Sequence, residues 1–325
     1  MYSVEEVSGA VPSNPNLQPM RISDNGITGT AEEITSDIVL PESRIPSTPE
    51  VGTESNAGDV ITEWNIDEQD AWFAGVFGSS WYTVPSSETG KKTLTLGGVD
   101  ANHPIASHIF SLFEKFPQTP VLWQHYKNEC INSLSMDFAT DSFVKLTWNF
   151  MGSNNPKMTD TIDATGTPVF LDRKDTKSFI TKSGMWLKIG DTLGTIQAVR
   201  QCPSMNLSIN NNLERTPALG EDESIENSLG NFDVDGTLEV YNVDATGKNL
   251  YNDAVEGKDK VLQVAVSRKA KVDNVDGTVR YTLTLNVHFG APTKSKNGNK
   301  LQFSIPFKVN NDTDLLLEKE FIEEE

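Results

Sequence analysis

The residue types most able to bind a metal or to act in catalysis are few in this chain of 325 residues. Its histidines and cysteines are His103, His108, His125, His288, Cys130 and Cys202. The histidines show no metal-ligand spacing, and the cysteines form no Cys-x-x-Cys pair. Each cysteine borders an apolar run, where a free thiol packs as a small hydrophobic group, although the spacing leaves a disulfide open. With no Gly-x-Ser-x-Gly, P-loop or Gly-x-Gly-x-x-Gly motif, the sequence predicts no catalytic residue, no cofactor and no metal.

Two Asp-Gly segments are the nearest approach to a metal-binding motif. Asp233-Val-Asp235-Gly236 and Asp273-Asn-Val-Asp276-Gly277 resemble the start of a calcium loop. Such a loop also needs further oxygen ligands and a closing glutamate, which are missing at the required positions. Asp-Gly is also a common signature of hairpin turns. We therefore predict turns at both segments, with calcium binding as the alternative.

The charge balance limits the possible partners. With 27 basic and 46 acidic residues, the formal net charge is −19, and the sequence contains no long basic run. A protein that grips nucleic acid by its backbone needs basic patches. The acidic surface indicates either simple solubility or a surface that lies beside nucleic acid without adhering to it. No apolar run is long enough to cross a membrane, and the first residues lack a secretory pattern, so we expect folding in a cytoplasm.

Short alternating apolar and polar runs dominate the pattern of the chain, as in half-buried strands. The clearest are Leu134–Phe138, Val144–Phe150, Leu238–Val240, Val261–Val266, Tyr281–Val287 and Leu301–Ile305. Two helices are also predicted. One covers about Glu68 to Phe77, with Asp67 as N-cap and Gly78 as its end; the other covers about Lys248 to Glu256. The predicted fold class is mainly β, with one short helix in each half.

The remaining segments are polar. Long loops are predicted at about Gly29–Gly58 and Asn210–Asn231, and loops of this length are usually functional or disordered. The proline-rich start is expected to be extended and poorly ordered unless a neighbour holds it. The acidic end, Leu315–Glu325, is interpreted either as an arm that docks on a neighbouring subunit or as a solvated tail.

An internal duplication is indicated by matching features in the same order. Trp64-Asn-Ile-Asp67 recurs 177 residues later as Tyr241-Asn-Val-Asp244, and in both copies a helix ending at glycine follows. Upstream, Met20-Arg-Ile-Ser23 matches Met205-Asn-Leu-Ser208, each before a long loop. Repeats of this kind mark one structural unit used twice. The predicted divisions are an arm at 1–19, modules at 20–155 and 200–312, a connecting segment at 156–199 and an acidic arm at 313–325.

This order of elements resembles the tail tube proteins of long-tailed bacteriophages. The most similar stretches are Cys130–Met136 with Phe143–Gly152, and Ser204–Asn211 leading through Glu214 and Gly220 to the Asp244 helix. The resemblance covers most of the chain from Met20 onward. It implies a β-sandwich module whose inner sheets join edge to edge into one ring-wide β-barrel around a channel. It also implies a virion tail location after assembly in the host cytoplasm.

The same resemblance implies partners. They are further copies of this chain, a tape measure protein, tail terminator or tip proteins, and duplex DNA that passes without tight binding, with no membrane involved. Because rings of the family present six modules, a chain with two predicts three chains per ring. The long loops are expected to contact the next ring, and the candidates are Arg44, Ile45, Glu50, Arg215, Glu221, Asp222 and Glu223. Alternation predicts that Ser133, Ser135, Asp137, Thr282, Thr284 and Asn286 line the channel.

A β-sandwich module that binds carbohydrate or mediates adhesion on a virion or cell surface is the alternative function. It requires an aromatic platform, whereas the tryptophans are scattered in mostly apolar contexts. An enzyme is the third hypothesis, and no constellation of residues supports it.

Overall fold

The computed structural model is mainly β, and it describes residues 1–6, 10–35, 49–85, 90–172, 177–182, 184–216, 220–221, 226–242, 245–272, 275–297, 300–309 and 315–323. The two helices are α1 (Asp70–Phe77) and α2 (Ala245–Val255). In chain order the strands are β1 (Tyr2–Glu5), β2 (Asn16–Pro19), β3 (Ile22–Asn25), β4 (Thr28–Ile34), β5 (Glu50–Glu63), β6 (Tyr82–Thr83), β7 (Lys92–Thr95), β8 (Phe110–Phe116), β9 (Leu122–Ala139), β10 (Lys145–Gly152), β11 (Met158–Thr159), β12 (Val169–Phe170), β13 (Met185–Gly190), β14 (Gln197–Ala198), β15 (Ser204–Asn210), β16 (Glu214–Thr216), β17 (Glu226–Ser228), β18 (Asp233–Tyr241), β19 (Asp259–Val272), β20 (Val275–Phe289), β21 (Thr293–Asn297), β22 (Lys300–Val309) and β23 (Leu315–Glu323).

One long antiparallel sheet runs through both halves of the chain, and we call it the long sheet. Its strand order is β3, β5, β10, β9, β15, β18, β22 and β21, with β4 continuing β3 along the edge of β5. The pairing of β9 with β15, from Ser133↔Asn210 to Ala139↔Ser204, joins the two halves. In the first half β5 lies between β3 and β10, and in the second half β18 lies between β15 and β22.

The other strands, apart from the separate β16–β17 pair, form a second layer that joins the long sheet where β20 pairs with β22. The first part of β9 pairs with β8, which also pairs with β1. In the second half, β19 and β20 form a long hairpin that continues to β13 on one side and to β23 on the other. Residues of both layers belong to one hydrophobic core, which includes Trp64, Trp148 and Tyr281. Burying aromatic side chains of this size is the largest hydrophobic contribution that the core makes to stability.

The predicted strands are confirmed, because each alternating run lies within a strand or begins one residue before it. Both helices are also present, although their starts differ from the prediction. Asp67 is not the N-cap of α1: its φ is 63°, outside the extended region that an N-cap needs, and α1 begins at Asp70. Gly78 ends α1 in the left-handed conformation, as predicted. Helix α2 begins at Ala245, and Asp244 lies outside the described residues.

The terminal segments also belong to the fold. Strand β1 pairs with β2 and β8, and β2 pairs with β12 of the connecting segment, so the start of the chain is extended and held within its own chain. Over 315–323 the acidic end is a strand of the fold rather than a solvated tail. Strand β23 pairs with β20 over nine residues and with β7 over four, because Leu315 and Leu317 point into the core.

The Asp-Gly interpretation is wrong at Gly236, which lies in the middle of β18 rather than in a turn. A Cβ at this position would approach the Phe307 ring to 2.4 Å, so the missing side chain makes room for an aromatic group on the neighbouring strand. Gly277 in β20 makes room in the same way for the Phe321 ring, 2.5 Å from the position of a Cβ. Among the described residues, no group of three or more His, Cys, Asp or Glu side chains could hold a metal ion.

Candidate functional site

A continuous polar face covers one side of the long sheet. Side chains alternate between the core and this face, so that Leu134, Met136 and Phe138 are buried while Ser133, Ser135 and Asp137 lie on the opposite side of β9. Residues directly paired across an antiparallel sheet point to the same side. The cross-strand pairs therefore extend the polar face from β9 over five further strands, namely β10, β5, β15, β18 and β22.

Negative charge predominates on this polar face. In the described part of β5, β10, β9, β15, β18 and β22, the charged side chains on this side are Asp59, Glu63, Asp137, Asp233, Asp235, Glu239, Lys145 and Lys308. Amide side chains hold several of these carboxylates in place. Asn206 donates to Asp137 at 2.6 Å, Asn149 donates to Asp59 at 2.7 Å, and Gln302 donates to Glu239 at 2.7 Å. With six carboxylates and two lysines, the face is acidic and hydrogen-bonded along its width.

The six predicted channel residues separate into two groups. Ser133, Ser135 and Asp137 lie together on the polar face. Thr282, Thr284 and Asn286 lie on β20, in the part of the strand that pairs with β19 and β23. Thr282 is 5% exposed, and Thr284 accepts a hydrogen bond from Gln263 at 3.1 Å. The sequence missed most of the polar face, since its other members become neighbours of Ser135 only through strand pairing.

The two ends of the long sheet have open edges. In the described part of the chain, β3 and β4 pair only with β5, and β21 pairs only with β22. An open strand edge exposes backbone N–H and C=O groups that can pair with another chain. In strand β21 the exposed side chains at 293–296 are polar or basic.

The residues predicted to contact the next ring fall into three groups: those outside the described residues, those that are exposed, and Arg215. Arg44, Ile45, Asp222 and Glu223 fall outside the described residues, whereas Glu50 and Glu221 are exposed. Glu50 begins β5 and pairs with Ile34 at the end of β4. Arg215 does not extend outward: its guanidinium donates to Ser55 Oγ at 3.2 Å and to the Asn56 carbonyl. Arg215, in the second predicted loop, is therefore hydrogen-bonded to Ser55 and Asn56, near the end of the first predicted loop.

Beside Arg215 lies a buried carboxyl group that sequence patterns do not mark. Glu129, on β9, is 0% exposed, and neither of its carboxylate oxygens has a hydrogen-bond partner within the described protein. Burial raises the pKa of Glu129 well above its ordinary value, although Asn56 and Arg215 act in the opposite direction. A Cβ at position 152 would approach the Glu129 carboxyl to 2.1 Å, so Gly152 makes the space for this side chain.

We expect the Glu129→Gln variant to be more stable than the wild type at pH 8. The unfolded carboxyl ionises near 4.5 and the folded one at higher pH, so the wild type loses stability as pH rises above 4.5. Glutamine removes the cost of charging a buried group, about 1–3 kcal/mol at pH 8, and the difference should vanish near pH 4. Denaturant unfolding at both pH values measures it, with the exposed Glu214→Gln as control. A less stable Glu129→Gln protein at pH 8 would show that the charged form is favoured.

A serine, a histidine and an aspartate form one constellation that looks catalytic. His125 Nε2 lies 2.9 Å from Ser111 Oγ, and Nδ1 lies 3.4 Å from Asp163. Burial lowers the pKa of His125 to about 4, so the ring is neutral at pH 7. Ser111, however, is 0% exposed and donates its proton to Glu6 at 2.6 Å rather than to His125. The hydrogen bonds from Ser111 to Glu6 and between His125 and Ser111 therefore have a structural role, because they connect the start of the chain to β8 and β9.

The remaining candidates for chemistry also have structural roles. His103 contacts Asp100, His108 contacts Glu5, and His288 contacts Asp259, each at 3.0 Å or less. Both cysteines are free, and burial raises the pKa of Cys130 to about 11 and that of Cys202 to about 12. Such thiols are poor nucleophiles.

An aromatic platform for sugar binding is also not supported by the tryptophans. Trp64, Trp72, Trp123 and Trp148 are all buried, and Trp186 is half-buried beneath the Lys188 ammonium, 4.2 Å from the ring centre. None of the described helices is long and apolar enough to span a bilayer.

The polar face and the open edges define a mainly β protein with a wide, hydrogen-bonded acidic surface. The family model for the phage tail tube protein matches residues 1–309, and the chain belongs to this family. A search of curated proteins finds no match. The resemblance noted in the sequence is thereby confirmed. The chain is a non-enzymatic structural component of the virion tail, and tail tube proteins associate with one another and with other tail proteins.

Proposed function

We propose that three copies of this chain join edge to edge into a ring, and that the rings stack into a tube through which duplex DNA passes. In this arrangement the long sheets of the three chains form one barrel, with the polar face directed into the channel. The observation that carries the proposal is the pairing of β9 with β15. It is a seven-residue antiparallel joint between the two halves of one chain, and the same joint can be made between chains.

The number of chains follows from the equivalence of the two halves. The order β3, β5, β10, β9 in the first half corresponds to β15, β18, β22, β21 in the second. This supports modules at 20–155 and 200–312. Three chains then supply six modules.

The joint between chains should use the two open edges. In the first half β9 pairs with β15, so the corresponding β21 is expected to pair with β3 of the next chain. Closing a sheet into a barrel removes exposed edges that would otherwise aggregate.

The polar face has the properties that a DNA channel requires. Duplex DNA carries about one phosphate charge per 1.7 Å of its axis. A wall with an excess of carboxylates repels these phosphates within about one Debye length, roughly 8 Å at physiological salt. The wall therefore keeps DNA from adhering during passage. We further propose, from the family resemblance, that a tape measure protein occupies the tube during assembly and that terminator and tip proteins bind its ends.

A reconstruction of the assembled tube tests the ring directly. We expect three chains per ring, pseudo-sixfold symmetry, and β21 paired with β3 of the adjacent chain. Six chains per ring, or a barrel made without the β21 edge, would contradict the proposal.

Proline substitution provides the complementary measurement. Successive N–H groups of a strand point to opposite edges, so one of the two single variants Lys294→Pro and Ser295→Pro removes a donor from the open edge of β21. That variant should remain folded and fail to form rings. Lys294→Ala and Ser295→Ala keep both donors and are the matched controls. Normal ring formation by both proline variants would exclude β21 from the joint.

A further inference from the structure

A groove lies where the two halves of the chain meet, beside the end of the β9–β15 pairing. It has a volume of about 530 Å³, and we call it the apolar groove after the lining residues Phe138, Met185, Trp186, Val199 and Met205. Phe138, Val199 and Met205 are buried core residues, whereas Met185 and Trp186 are half-buried. The groove therefore reaches the edge of the hydrophobic core, and its size is typical of pockets that hold a bound group.

Charge does not select the occupant of the apolar groove. The charged residues of its lining are Asp141, Lys182 and Arg200. Lys182 Nζ lies 3.7 Å from Asp141, and both side chains are largely exposed. Such surface pairs contribute little. The feature that a partner would recognise is therefore the apolar lining, which gains most from covering by another apolar group.

Exposed apolar side chains lie at the far end of the β4–β5 hairpin. In the described part of the chain, the part of β5 before Asn56 pairs only with β4, so the hairpin continues past the end of β10. Ile34 and Val51 are 60% and 70% exposed there, and we call these two residues the hairpin end. A two-stranded ribbon is at best marginally stable in water without a surface to pack on. The hairpin end therefore suits an apolar partner surface.

The apolar groove and the hairpin end lie at opposite ends of the long sheet. Cross-strand pairs place Phe138 and Met205 level with Trp64, one residue beyond β5. The hairpin end lies at the other end of β5, beside Glu50. At about 3.3 Å per residue, the strand separates the two surfaces by roughly 40 Å. A strand tilt of about 40°, as in closed barrels, still leaves roughly 30 Å along the barrel axis.

The chain that continues from the hairpin end is too short to cover this distance. Residues 36–48 connect β4 to β5, and 13 residues that leave and return extend at most roughly 20 Å. They include Ile38-Val-Leu40, a further apolar run suited to the same groove. The hairpin end therefore cannot reach the groove of its own chain. Within one ring, symmetry keeps equivalent ends at the same level, so the groove of a ring neighbour is also out of reach.

We propose that the hairpin end of one chain occupies the apolar groove of a second copy in the adjacent ring. This rests on the stacked rings proposed above and identifies the surface that receives the first long loop. The projecting part lies at one end of the chain and the receiving part at the other, so the contact is head-to-tail and repeats along an axis. Each ring then supplies as many hairpin ends as grooves.

Neutral substitutions test the contact. Ile34→Ser with Val51→Ser should leave rings intact and reduce mean tube length about tenfold or more, because the lost apolar contact is repeated in every chain of the ring. Ala198→Trp should have the same effect, since this exposed alanine lines the groove and a large side chain there fills it. Ile105→Ser with Val255→Ser is the matched control, because these side chains are 71% and 60% exposed. Electron microscopy and sedimentation measure the ring and tube populations.

Cross-linking identifies the occupant. A short bis-maleimide should join the double variant Val51→Cys with Ala198→Cys into chains linked from ring to ring, and only in assembled tubes. The native thiols of Cys130 and Cys202 react slowly at pH 7, because burial raises their pKa to about 11 and about 12. Each single variant, and the double variant before assembly, are the controls.

The outcomes separate this contact from the proposed function. Short tubes from the serine and Ala198→Trp variants support the contact, provided that tubes of the control and of Ala101→Trp, another exposed alanine, are normal. Full-length tubes from the serine variant, or double-cysteine tubes without ring-to-ring links, overturn it while leaving the stacked rings intact. Full-length but non-infectious Ala198→Trp tubes would assign the groove to another tail protein, which also overturns it. Links formed before assembly would place the hairpin end in its own chain's groove, with the same consequence. Absence of rings in the wild type would instead contradict the proposed function.

Discussion

Tubes with lysine at positions 135, 137 and 235 should retain linear duplex DNA, whereas wild-type tubes should not. Ser135, Asp137 and Asp235 lie on the polar face, away from the core. The substitutions change the charge of that face from an excess of four carboxylates to a small positive excess in every chain. Cations along the wall should then bind phosphates. Binding through about six or more phosphates weakens roughly 10³-fold or more between 50 and 200 mM salt.

A filter-binding assay of assembled tubes across a salt series measures this effect. The control introduces lysine at Thr284 and Asn286, which lie on β20 rather than on the polar face. We expect the control tubes to release DNA as the wild type does. Retention by the control would place β20 in the channel. Tight, salt-sensitive binding by wild-type tubes would contradict the non-adhesive channel altogether.

Replacing Lys319 with methionine should destabilise the chain strongly. Lys319 is 12% exposed on β23, and its ammonium contacts the carboxylates of Asp67 and Asp70 and lies above the Tyr281 ring. Methionine fills similar volume but leaves two carboxylates without their cation. Loss of one partner from a buried ion pair costs about 3–5 kcal/mol, and the partial exposure of the aspartates reduces this to about 2–3 kcal/mol. Denaturant unfolding at pH 7 measures the difference.

The pH dependence of the free energy of unfolding shows whether the Lys319→Met variant loses stability through the missing ion pairs. Burial alone would lower the pKa of Lys319, but Asp70 and Asp67 outweigh it, and the pKa is raised above 10.5. The stabilisation is therefore complete below pH 10.5 and is lost as pH rises through the folded pKa. Only the wild type should show this alkaline loss. Lys91→Met, which breaks a more exposed pair with Glu318, is the control and should cost under about 1 kcal/mol. Equal losses in both variants would rule out a special role for Lys319.

The sequence by itself determined the local structure and the family. Alternation at Leu134, Met136 and Phe138 identified a half-buried strand because the two-residue side-chain period is a local property. Gly78 marked the end of α1 for a similar reason, since only glycine adopts that backbone conformation readily. The order of strands, loops and helices carried the resemblance to tail tube proteins. None of these inferences required knowing which strand lies beside which.

Only the tertiary structure decided which residues of the chain are neighbours. Alternation shows that Asp137 faces away from the core, but its neighbour Asn206 is set by the pairing of β9 with β15. The sequence alone predicts a turn at Gly236, because the Phe307 ring for which this glycine makes room is distant in the sequence. Asp67 resembles an N-cap in the sequence, but in the fold its carboxylate binds Lys319, which comes 252 residues later. Pairing energies depend on which surfaces meet in the folded chain, and local patterns contain no information about that choice.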